Sequence, residues 1–275
     1  MSRMNPLTII RRIRARKGQE PIVAVTAYDA ITAYWADRAG VDMILVGDSV
    51  GTTHLGFSST VPVTLDMMIH HAAAVMRSNP SALVVCDLPF GYGQAEPDRL
   101  LAASCRVMQE TGVSAVKLEG GEECAPSVER LVRAGIPVLG HIGLQPQQVL
   151  ALGGYRKFGV NEPEREGLVR SARALEEAGA FALVIEMVDP LAARAVTEAV
   201  GIPVIGIGAD DPCDGQILVS TDLLGLNPGP VPKFVQPFAA LGKETETAFA
   251  RYAAAVREGR FPVAGEKMRV ESSPG

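Results

Sequence analysis

Four carboxylates stand where short apolar runs come to an end: Asp48, Asp87, Glu119 and Glu186. His141 closes a fifth run, and Lys117 lies two residues before Glu119. In an extended chain that spacing points Lys117 and Glu119 to one side and Leu118 to the other. If the runs are parallel strands of one barrel, their C-terminal ends meet at one face, where such folds keep their chemistry. Four acids gathered there repel one another, and one lysine with one histidine does not balance them. A divalent cation would. Ligands that are all carboxylate oxygens, with no thiolate and little imidazole, suit a hard ion such as Mg2+, its other positions filled by water and substrate. Any one of these acids could equally be the N-cap of the next helix. Only the set makes a site. His70 and His71 fall inside a helical pattern and read as packing or surface residues, and His54 lies in a loop after the second run.

The elements that must position these side chains repeat along the chain. A helical pattern, a glycine and a short Val- and Ile-rich run recur at Gly40, Gly112, Gly135, Gly179 and Gly201. Glycine tolerates the left-handed conformation in which helices commonly stop. The runs lack clean alternation, so they read as strands buried on both faces, as in parallel sheets. Eight are found: Ile22–Thr26, Met43–Gly47, Leu83–Asp87, Ala115–Glu119, Pro137–His141, Ala182–Glu186, Pro203–Gly208 and Leu223–Leu226. Helical patterns fall between them at Leu65–Ser78, Leu100–Glu110, Ser127–Ala134, Gly167–Ala178 and Leu191–Val200. Eight strand–helix units predict an α/β fold, a (β/α)8 TIM barrel, with an N-terminal helix and a C-terminal helix at Glu244–Arg257. One barrel domain is expected over 1–275, with 1–20 an N-terminal helical segment and 271–275 a flexible tail. The small-residue stretch Gly51–Thr64 is long enough for an active-site lid or a surface loop. Gly206–Gly208 could hold phosphate or only permit a tight turn.

Composition narrows the function. Of 275 residues 47% are hydrophobic, enough for one large core, and a net charge of -5 without a basic tract argues against nucleic acid. No apolar run approaches the roughly 20 residues that span a bilayer. Leu7–Lys17 is basic and amphipathic. It reads as a helix laid over one end of the domain rather than a transit peptide. The four cysteines, Cys86, Cys105, Cys124 and Cys213, form no CxxC pair, so reduced thiols in a cytoplasmic protein are expected, without zinc.

Between Thr26 and Phe234 a series of phrases resembles the ketopantoate hydroxymethyltransferases in content and order: TAYDA (26–30), VGDSVG (46–51), TVPVT (60–64), DLPFG (87–91), VKLEGG (116–121), GHIGLQPQ (140–147), GGYR (153–156), IPVIGIGA (202–209), DGQILV (214–219) and PKF (232–234). The resemblance implies a barrel of the phosphoenolpyruvate/pyruvate superfamily, assembled as a homo-oligomer, typically a homodecamer. It implies transfer of a hydroxymethyl group from the cosubstrate 5,10-methylenetetrahydrofolate to 3-methyl-2-oxobutanoate through a Mg2+-stabilised enolate. The product would be 2-dehydropantoate, for pantothenate and coenzyme A. In the family the positions matching Asp48 and Asp87 hold Mg2+ and that matching Glu119 completes the site. Those matching Ser49, Asp87 and Lys117 contact the oxo acid, with Asp48 and His141 in the same substrate pocket. The match to Glu186 is the proton acceptor. Departures fall in loops: Asp210 and Asp211 after GIGA, Lys157–Phe158 after GGYR, and Ser58 before the TVPVT phrase. They bear on folate use more than on enolate formation.

Two other readings stand beside this one. A sister enzyme would share the Mg2+–enolate step but cleave or join another 2-oxo acid without folate. A non-catalytic barrel would only bind a ligand.

Overall fold

The computed structural model describes residues 6–210, 212–229 and 231–262. Asp211 and the expected tail at 271–275 lie outside them. The chain forms two compact units, Met1–Ser220 and Thr221–Gly275.

The first unit opens with α1 (Pro6–Arg14), β1 (Ile22–Thr26), α2 (Ala30–Arg38), β2 (Met43–Val46), α3 (Val50–Thr53) and α4 (Leu65–Arg77). It continues with β3 (Leu83–Asp87), α5 (Pro97–Thr111), β4 (Ala115–Glu119), α6 (Ala125–Arg133), β5 (Val138–Gly143), α7 (Val149–Leu152) and α8 (Glu162–Glu177). β6 (Ala182–Glu186), α9 (Pro190–Ala199), β7 (Val204–Ile207) and β8 (Gly215–Leu218) follow, and α10 (Ser220–Leu223) starts at the unit's last residue. α11 (Leu241–Arg257) lies in the second unit. All strand pairs are parallel, and β8 returns to β1 to close the barrel.

Strand parity sorts the core into two layers. Ala24, Met43, Leu45, Leu83, Val85, Ala115, Leu139, Ala182, Val184 and Ile205 form one buried cluster inside the barrel. Their neighbours Ile44, Val84, Val116, Val138, Leu183 and Val204 belong to the other, between sheet and helices. Each strand therefore buries both faces, which is why the runs carry no alternation. Ile9 and Ile13 of α1 join the inner cluster beside the strand starts Ile22, Met43 and Leu83, so α1 plugs the N-terminal end, as its amphipathic pattern requires.

Helix entry is set by side-chain caps. Asp29, Thr64, Asn161 and Asp189 accept from the first-turn amides of α2, α4, α8 and α9. None of the four strand-end acids is the N-cap of a described helix, which removes the capping explanation for them.

Two expectations are corrected. The eighth strand is Gly215–Leu218, not Leu223–Leu226, since Leu223 ends α10 and the next residues turn. The true strand carries an exposed Gln216 and a glycine, so it gives no apolar run. Gly215 is required there: a Cβ would come 2.3 Å from the Ile22 carbonyl oxygen. The glycine stop also fails at Gly201. Gly40, Gly112, Gly135 and Gly179 adopt positive φ, whereas α9 leaves through an extended Val200 (φ -124°, ψ 149°).

Candidate active site

Parity and register bring the acids together. Asp87, Lys117, Glu119, His141 and Glu186 continue the inward positions of Val85, Ala115, Leu139 and Val184 up to the C-terminal mouth. Across the β3–β4 seam Asp87 pairs in register with Lys117, and across β4–β5 Glu119 pairs with His141. Neighbouring strands lie about 4.8 Å apart, so opposite charges meet directly. Lys117 Nζ stands 2.5 Å from Asp87 Oδ1 and 3.5 Å from His141 Nδ1. His141 bridges two carboxylates, with Nδ1 3.4 Å from Glu119 Oε1 and Nε2 3.2 Å from Glu186 Oε2. His141 lies within β5 rather than at its end, the strand running on to Gly143.

Asp48 arrives from a turn two residues beyond β2, not from the strand itself. Its backbone N–H donates to Asp87 Oδ2 at 3.1 Å, tying the turn to β3. Gly47 leaves the mouth open, because a Cβ there would stand 2.7 Å from Ser49 Oγ and 3.5 Å from Asp87 Oδ2. Ser49 Oγ shares a 2.8 Å hydrogen bond with the buried Tyr28 hydroxyl. Asp48, Asp87, Lys117, Glu119 and His141 are all buried, while the Glu186 side chain keeps 18% of its surface.

The electrostatics follow from this crowding. Burial, then Glu119 and Asp87, push the Asp48 carboxyl well above the usual carboxylate range. Burial also raises Asp87, against the pull of Lys117. For Lys117, burial favours the neutral amine, but Asp87, Glu119 and Asp48 outweigh it and the ammonium is strengthened. Burial and Lys117 both oppose a charged His141, yet Glu119 and Glu186 raise it from 6.5 to about 9. Glu119 is lowered despite burial, held by His141 and Lys117. Asp87 Oδ1 and His141 Nε2 are buried with no well-aligned hydrogen bond, so their close contacts are ionic.

Sequence reasoning missed three residues. Gln147, in the turn after β5, donates to Asp48 and Glu119. Tyr28 anchors Ser49. Tyr155 has its phenol raised by burial and then by Glu186, Asp48 and Glu119. They stand in the phrases TAYDA, LQPQ and GGYR, where neither charge nor period aims them at the acids. His54 packs its ring on Tyr28 at 4.5 Å and pairs with Thr53, and His71 bonds the Tyr28 carbonyl, so both histidines support the Tyr28 segment. The Gly51–Thr64 stretch is partly packed down, with Ser59, Thr60 and Val63 buried. Its Val61 lines a cleft of about 340 Å³ together with Phe90, Gln94, Glu119, Gln147 and Leu150. Phe158 forms a bridge with Val188 just beyond β6 and carries the Arg156 guanidinium over its ring.

Fold and site together define an enzyme of the (β/α)8 class with an acid-lined mouth. Solved structures of similar fold include 2,3-dimethylmalate lyase, a member of the phosphoenolpyruvate mutase/isocitrate lyase superfamily, with TM-score 0.60 and 20% identity over 94% of this chain and 91% of that one. Phosphonopyruvate hydrolase in complex with oxalate and Mg2+ has TM-score 0.60 and 14% identity over 94% and 92%. The chain belongs to the ketopantoate hydroxymethyltransferase family, whose model matches residues 7–264. The 3-methyl-2-oxobutanoate hydroxymethyltransferase of Moorella thermoacetica is 51% identical over 95% of this chain and 97% of its own. That of Rhodospirillum centenum is 55% identical over 91% and 90%.

Proposed function

We propose that this enzyme adds the one-carbon unit of 5,10-methylenetetrahydrofolate to 3-methyl-2-oxobutanoate, giving 2-dehydropantoate on the way to pantothenate and coenzyme A. One observation carries the reading. Five inward ionisable groups from four strands, joined by Asp48, face one mouth, and Glu186 alone among the acids keeps appreciable exposure.

The residues fit a hard divalent cation, Mg2+. Asp48 and Asp87 offer carboxylate oxygens, the buried Asp87 Oδ1 has no aligned hydrogen bond, and the acids outnumber the cations Lys117 and His141. Among the described residues no group of three or more His, Cys, Asp or Glu side chains is arranged to hold a metal ion by itself, so water and substrate would have to complete the set. Two carboxylates with water and substrate oxygens are the usual set for Mg2+, and Glu119 would act from behind, through water. When bound, the cation polarises the keto group and acidifies the neighbouring C–H.

The chain's own residues do the rest. Ser49, Asp87 and Lys117 bind the oxo acid, and Tyr28 sets the Ser49 hydroxyl. Glu186 accepts the proton from C3. His141, between Glu119 and Glu186, holds the base in place. Lys117 offsets the negative charge that develops on the substrate oxygen. The carbon nucleophile then bonds to the methylene carbon of the folate, whose two bonds to nitrogen break. Water supplies the hydroxyl oxygen, and one proton from that water together with the one taken from C3 goes to the two nitrogens, so tetrahydrofolate leaves. Homodecamer assembly and a cytoplasmic location belong to the same proposal, with sedimentation velocity as the test of the first.

The test is a coupled assay with 3-methyl-2-oxobutanoate, methylenetetrahydrofolate and Mg2+, with and without chelator. Product that vanishes on chelation is expected. Deuterium exchange into the oxo acid without folate-dependent product would point instead to a lyase or aldolase acting on another 2-oxo acid.

A further inference from the structure

Gln147 grips the acid cluster from two directions, with its side-chain amide and with its main chain. Its Nε2 donates to Asp48 Oδ2 at 2.9 Å and to the Leu88 carbonyl oxygen at 3.0 Å. Its own backbone N–H donates to Glu119 Oε2 at 3.1 Å. The residue is 7% exposed, so these bonds form away from competing water. An amide nitrogen has two hydrogens, and both are spent here. A carbonyl oxygen can only accept, so the Leu88 carbonyl fixes which way round the amide lies, and the remaining hydrogen must face Asp48. Leu88 is itself held, its N–H donating to the Lys117 carbonyl at 3.0 Å. The amide is thus braced on the β3–β4 frame while it holds the Asp48 turn, and its main chain holds a β4 carboxylate. A lysine or arginine could make similar bonds, but its charge would compete with any cation for the same oxygens.

We propose that Gln147 is a positioning residue: by bridging Asp48 and Glu119 it sets the separation and aim of these two carboxylates, which the enolising step requires. This rests on the function proposed above. Partners of this kind, standing behind metal-binding carboxylates, typically change affinity or rate by about 10- to 100-fold when lost.

Gln147→Met tests it, since Met keeps the length and bulk, removes both side-chain donors and leaves the backbone N–H in place. The reaction followed is deuterium exchange at C3 of 3-methyl-2-oxobutanoate, which needs no folate. Binding of Mg2+ alone is followed by calorimetry. The expected result is an exchange rate lower by about 10- to 100-fold, Mg2+ affinity weakened by a similar factor, and a melting temperature within a few degrees of the parent. Exchange and metal affinity both within threefold of the parent (about 0.65 kcal/mol) would overturn the clamp and leave the proposed function standing. No exchange by the parent enzyme would overturn both. If the Met variant fails to fold, Gln147→Asn, shorter by one methylene, serves in its place, with the same loss expected and the same undiminished exchange overturning the proposal.

Discussion

At the scale of single residues, the acids of the mouth divide into three that are buried and one, Glu186, that keeps surface. Glu186 pairs with His141 and retains surface, which is what the proposed base, meeting an incoming C–H, requires. Glu186→Gln is expected to lower turnover by about 10²- to 10⁴-fold. A variant retaining turnover within about tenfold (~1.4 kcal/mol of barrier) would remove Glu186 from the role of base. His141 gives a prediction in pH. Its pKa rises from 6.5 to about 9 on folding, so the charged imidazole stabilises the protein fully below pH 6.5. That contribution is lost as pH climbs through about 9. Metal-free thermal melts across this window should fall on the alkaline side, and His141→Gln should flatten that fall. An unchanged slope in the variant would place the alkaline loss elsewhere.

At the scale of elements, what was legible depended on charge and period. The strands ending in Asp87, Glu119 and Glu186 were readable because an acid after a Val-rich run stands out, and their bounds match the structure. β8 was not, because Gly215 and Gln216 break the apolar signal while Leu223 and Leu224 imitate it. Gln147 was hidden for a different reason. It reaches the acids from a short turn with no periodicity to aim it and no charge to mark it. Backbone conformation near the base was equally invisible. Met187, directly after Glu186, has φ 50°, and Gly143 beside it on β5 has φ 90° with space for no Cβ, the Glu186 carbonyl oxygen lying 2.4 Å from where one would sit. Gly143→Ala is therefore expected to cost about 2 kcal/mol in stability, read by chemical denaturation, with a loss of activity larger than the population of unfolded protein explains. A fully active, equally stable variant would refute the close approach.

At the scale of the barrel unit, the two ends carry different duties. The mouth collects charge at some cost in electrostatic repulsion. The opposite end is closed by Ile9 and Ile13 of α1 among apolar strand starts. Ile13→Ala should destabilise by about 2–4 kcal/mol through lost burial and the cavity left behind, while KM and turnover, measured well below the melting temperature, stay unchanged. A shift in KM would mean that the two ends are coupled. The amphipathic N-terminal segment was legible as a cover from its pattern alone, since a basic, one-sided helix has few other stable places on an α/β barrel.

The register described for β3, β4 and β5 makes the centre behave like a reading frame. Lys117 and Glu119 look into the barrel only because Ala115 does, and Val116 and Leu118 look out with equal strictness. A single residue inserted early in β4 would shift the frame by one. The ammonium and the carboxylate would then be driven into the oily layer under the helices, and two greasy side chains would be delivered to the mouth in their place. A side chain at the rim can thus be exchanged without moving its neighbours, whereas lengthening or shortening a stave of the barrel by one residue turns every later side chain of that stave to the other face.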